Sequence, residues 1–113
     1  MFNKESFLKS NEVTVEMNTD FVVEIPSEIT NRRDLFNVLQ DKLKLPDYFG
    51  HNWNALAERL RDLSWITQQR VAIIHRDIPV LPAKEIAEYQ DILAASTKYW
   101  AGKDRHKLLV AFP

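Results

Sequence analysis

A chain of 113 residues, 45% of them hydrophobic and including three Trp, three Tyr and six Phe, has the size of one domain and enough apolar mass for a single core. Fifteen basic residues against sixteen acidic ones leave a net charge of −1, which argues against a general nucleic-acid binder held by phosphate contacts, and the lack of cysteine excludes disulfides and thiolate metal sites. No stretch is continuous enough for a signal peptide or approaches the roughly 18 apolar residues of a membrane span, so a cytoplasmic protein without membrane contact is expected.

In chain order, residues 11–16 alternate Val13 and Val15 with polar neighbours, the pattern of a half-buried edge strand. Such a strand would belong to an N-terminal extension, residues 1–19, ahead of a domain over 20–113 that opens with the first clear strand signal. Residues 20–25, with Phe21, Val22, Val23 and Ile25, read as a mostly buried strand ended by Pro26. Thr30 or Asn31 then caps a helix in which Leu35, Phe36, Leu39 and Leu43 recur at helical spacing. Pro46 cannot continue that helix, which makes 45–50 a loop. A second helix is predicted from about Asn52 to Leu63, with Trp53, Leu56, Leu60 and Leu63 as its core stripe and Asn54, Glu58 and Asp62 on the opposite face.

Residues 70–75, apolar throughout Val71, Ala72, Ile73 and Ile74, read as a strand buried on both faces. After Pro79 and Pro82 a third helix spans 83–101, with Ile86, Tyr89, Leu93 and Trp100 on one stripe and Gly102 at its end. A last continuous apolar run covers 107–112. Two such runs, each preceded by a helix, point to right-handed crossovers and hence to an α/β fold of three parallel strands with helices packed on one face.

Catalysis has little to stand on. His51, His75 and His106 have carboxylates nearby in sequence, but no HxxxH or HExxH spacing, G-x-S-x-G elbow or glycine-rich phosphate loop occurs. No enzyme and no cofactor or metal is expected, and His75, at the end of a buried strand, is read as a satisfied structural group. The cations Lys103, Arg105 and Lys107, with His106, follow a helix C-terminus, where positive charge is favoured in any case, so direct nucleic-acid binding is not expected.

The segment 35–63, above all Leu45-Pro46-Asp47-Tyr48-Phe49-Gly50-His51-Asn52-Trp53-Asn54-Ala55-Leu56, resembles the barstar family of ribonuclease inhibitors. A helix ends in Leu-Pro; an acid, two aromatics and Gly follow; then Asn opens a helix carrying Ala-Leu. Local physics is consistent with this, since Pro46 stops one helix, Gly50 permits a turn that a β-carbon would obstruct, and Asn52 caps the next. Tyr48 and Phe49 would then be held between two rigid helices, as interface anchors are.

The resemblance implies inhibition by occlusion, in which loop 47–51 and helix 52–63 enter a ribonuclease active site and acidic side chains stand in for substrate phosphates. Carried over by position, the family's interface tyrosine falls on Tyr48, its first key aspartate on Asn54 and its second on Glu58, with Asp47, Gly50 and His51 at the margin. Asn54 departs from the family in being neutral, and a further acidic contact falls near Thr97, which is neutral too. The implied partner is a ribonuclease or ribonuclease-like toxin, bound by a chain that is monomeric when free. The alternative keeps the fold and changes the partner: an immunity or regulatory domain that binds a protein other than a ribonuclease.

Overall fold

A computed structural model of the protein describes residues 7–45 and 51–113. Among them are four strands and three α-helices: β1 (Leu8–Lys9), β2 (Phe21–Ile25), α1 (Arg32–Lys42), α2 (Trp53–Asp62), β3 (Arg70–His75), α3 (Ala83–Ala101) and β4 (Lys107–Phe112). The sheet is parallel throughout, in the order β1-β4-β3-β2. Val23 lies in register with Ile73, and Ile73 with Val110. Crossovers that step in one direction, β2 to β3 to β4, put every helix on the same face when all are right-handed. That face carries Val23, Ile25, Val71, Ile73, Leu108, Val110 and Phe112, all buried.

The helices form where capping and periodicity predict them. Asn31 accepts a hydrogen bond from the Asp34 amide at 2.8 Å, and its own amide donates to the Asp34 carboxylate at 3.1 Å. Asn52 does the first of these for α2, accepting from the Ala55 amide at 2.8 Å. Leu56, Leu60 and Leu63 of the α2 stripe are fully buried, whereas Trp53 is half-buried. Two indole N–H groups tie the elements together: Trp100 donates to the Leu60 carbonyl at 2.7 Å and Trp65 to the Leu43 carbonyl at 2.9 Å.

The fold differs from expectation at two places. The sheet has four strands rather than three, and the added edge strand is Leu8–Lys9, not 11–16. Residues Ser10–Glu12 form a short 3-10 turn that draws the chain off the β4 edge, with the Ser10 hydroxyl donating to the His75 carbonyl at 3.1 Å. Val13 and Val15 are still half-buried between exposed neighbours. A period of two reports an extended segment lying on a surface, and it does not require a ladder partner. In β3, Ile74 is only half-buried, so that strand is less completely enclosed than its apolar run suggests.

Candidate partner-binding face

Helix α2 exposes Asn54 and Glu58, one turn apart, while Leu56 and Leu60 are fully buried. The sequence placed these two polar residues on one solvent face, and they are there. Asp47, Tyr48 and Gly50 lie outside the described residues. His51 is half-buried, adopts a left-handed φ of 45°, and sets its ring 5.8 Å from that of Phe36.

The described residues on either side of 46–50 are fixed. On the α1 side, Leu45 is 7% exposed and its amide donates to the Gln40 carbonyl at 3.2 Å. On the α2 side, Asn52 caps the helix. A column of rings runs through the described residues: Phe36 stands edge-on to Trp53 at 4.8 Å, Trp53 lies 6.1 Å from Tyr89, and His75 stacks on Phe112 at 3.9 Å. His75 joins the two halves. Its Nδ1 lies 2.9 Å from the Ala111 carbonyl, which can only accept, so Nδ1 carries the proton. Nε2 therefore accepts from the Tyr89 hydroxyl at 2.7 Å.

Desolvation pushes His75 down from 6.5 to about 4, partly opposed by its bond to the Ala111 carbonyl, and burial pushes the Tyr89 phenol up. Both groups are neutral at physiological pH, enclosed and satisfied, which is the signature of a rigid support rather than a proton shuttle. His106 is likewise placed structurally. It is 2% exposed, with Nδ1 2.9 Å from the Gln68 carbonyl and Nε2 3.0 Å from the Leu63 carbonyl. The basic cluster noted in the sequence therefore loses His106 to the interior. Arg105 donates to the Asp62 carbonyl and lies over Trp100 at 5.2 Å, and Lys103 lies over Tyr99 at 4.8 Å. Among the described residues, no group of three or more His, Asp or Glu converges to hold a metal ion.

Alongside α2 runs a groove of about 280 Å³ shared with α3, lined by Ala57, Arg61, Glu88, Asp91, Ile92, Ala95 and Ser96. Glu88 and Asp91 are exposed carboxylates that sequence reasoning missed. Their spacing of three, out of phase with the buried Tyr89 and Leu93, was the available signal. Thr97, by contrast, is half-buried and turns its hydroxyl back to the Ala94 carbonyl at 2.9 Å, so it supplies no charge.

A family model described as Barstar (barnase inhibitor) matches residues 20–112 of the chain. No curated protein matches it. The matched stretch opens one residue before β2 and ends with β4, leaving β1 and the turn after it outside.

Proposed function

The chain belongs to the Barstar family, and from that premise we propose that it is a protein inhibitor of a ribonuclease, binding across the enzyme's active site through loop 47–51 and helix 52–63. The observation that carries the reading is the exposed pair Asn54 and Glu58, one turn apart on α2 beside a loop with both flanks anchored. A ribonuclease holds phosphate with arginines and lysines, and the Glu58 carboxylate offers those groups a charge-assisted hydrogen bond in place of phosphate. Asn54 contributes a neutral donor and acceptor. Tyr48 is the aromatic anchor, with Asp47, Gly50 and His51 at the rim. The free chain acts as a cytoplasmic monomer.

The test is a titration of the purified chain into ribonuclease fractions from its own source, read by cleavage of a fluorogenic RNA. Stoichiometric loss of cleavage is expected with one of them. Glu58→Ala should raise the half-inhibiting concentration by roughly 10- to 100-fold, the equivalent of about 1.5–3 kcal/mol for a lost charged hydrogen bond. Asn54→Asp should lower it. A second reading, binding to a protein that is not a ribonuclease, is favoured by the neutral side chains at Asn54 and Thr97. It gains ground if no fraction is inhibited by the parent chain or by Asn54→Asp.

A further inference from the structure

The helices occupy one face of the sheet, yet a parallel sheet is ordinarily buried on both. The opposite face holds the alternate residues Val22, Ala72, Ile74, Leu109 and Ala111. Ala72 and Ala111 are each only 1% exposed, and Val22, Ile74 and Leu109 are half-buried. Among the described residues, no second helical layer covers that face.

The chain ahead of β2 is placed to cover it. β1 is one edge of the sheet and β2 the other, so residues 10–20 must pass from side to side. They are fastened at both ends of β3. At its C-terminal end, the Ser10 hydroxyl donates to the His75 carbonyl. At its N-terminal end, Arg70 Nη2 donates to the Thr14 carbonyl at 3.1 Å, and Nη1 lies 3.7 Å from the Asp20 carboxylate. Asp20, 7% exposed, also accepts from the Glu16 amide at 2.9 Å, which closes the turn into β2.

The dimensions agree. From Arg70 to His75 the strand rises about 16 Å. Ser10 to Thr14 covers roughly 11 Å as a 3-10 turn and extended chain, and the long arginine side chain spans the rest. Arg70 Nε is itself buried and has no hydrogen-bond partner among the described residues, as befits a stem lying under another segment.

We propose that residues 10–20 are a latched strap over the back of the sheet, with Arg70 gripping Thr14 and Asp20 as its latch, and that this strap opens as a local unit while the helical face stays folded. Val13 and Val15 are its inward side chains. The strap lies almost wholly ahead of the stretch that matches the family, on the face opposite α2, so its opening is separable from partner binding.

Hydrogen exchange on the full chain tests this. Arg70→Ala should speed exchange across residues 8–19 about tenfold, the cost of a hydrogen bond lost from the closed form. Exchange in α2 should be unchanged, and binding of an apolar dye should rise as Ile74 and Leu109 are uncovered. Ser10→Ala, which frees the other end, should act in the same direction, and Arg70→Lys should fall between Arg70→Ala and the parent. Unchanged exchange in 8–19, or equal acceleration in α2, would overturn the proposal. If Arg70→Ala does not fold, the Ser10→Ala and Arg70→Lys exchange patterns decide it by the same criteria.

Discussion

His75 illustrates how one side chain can be fixed by chemistry alone. Its two nitrogens are committed to the Ala111 carbonyl and the Tyr89 hydroxyl, and a proton added at Nε2 would force that hydroxyl to turn and accept where it now donates. Desolvation accordingly holds it near 4 in the fold, against 6.5 in the unfolded chain. Between those values the unfolded state binds a proton that the native state refuses, so stability falls as pH drops through that window. Above pH 6.5 the penalty is absent; by pH 4 it amounts to about 3 kcal/mol. Urea unfolding at a series of pH values should show this slope. His75→Gln, which retains a donor and an acceptor but does not titrate, should flatten it. Persistence of the full slope in that variant would assign the acid sensitivity to the carboxylates instead.

At the scale of the element, α2 joins stability to the binding face. Leu56 and Leu60 are fully buried, and the Leu60 carbonyl also receives the Trp100 indole. Leu56→Ala should cost about 2–5 kcal/mol in thermal or urea unfolding. Asn52→Ala removes the cap, about 0.5–2 kcal/mol, and loosens the chain where α2 begins. Relative to its stability cost, Asn52→Ala should therefore impair inhibition more than Leu56→Ala does; the same ratio for both would separate the loop from the site. Much of this was legible beforehand. Asn31 and Asn52 announce helix starts, and the 3, 4, 3 spacing from Trp53 to Leu63 puts Asn54 and Glu58 on the water side. The end of α2 near Leu63 was legible too, but its geometry was not: Leu63 is left-handed at φ 47° while fully buried, and tertiary packing overrides a conformation for which glycine or asparagine would be the local signal. β1 was illegible because two exposed residues carry no period.

At the scale of the molecule, the parallel order followed from continuous apolar runs separated by helices, whereas the cover on the back of the sheet could not, because it rests on contacts such as Arg70 to Thr14 that span 56 residues. Charge is arranged locally as well. The net value of −1 gives little long-range field, and between Asp41 and Asp62 four acids (Asp41, Asp47, Glu58, Asp62) face four bases (Lys42, Lys44, Arg59, Arg61). Steering of a cationic enzyme scales with the summed field over a Debye length, while a contact pair such as Glu58 with an arginine acts after docking. Salt should therefore act more on dissociation than on encounter. In stopped-flow measurements following Trp53 fluorescence, raising the ionic strength from about 0.05 to 0.5 M should slow association by less than about tenfold, and Glu58→Ala should change mainly the off-rate. A steep fall in the on-rate would mean that Glu58, Glu88 and Asp91, gathered along α2 and α3, act as one acidic field that the neighbouring Arg61 fails to cancel.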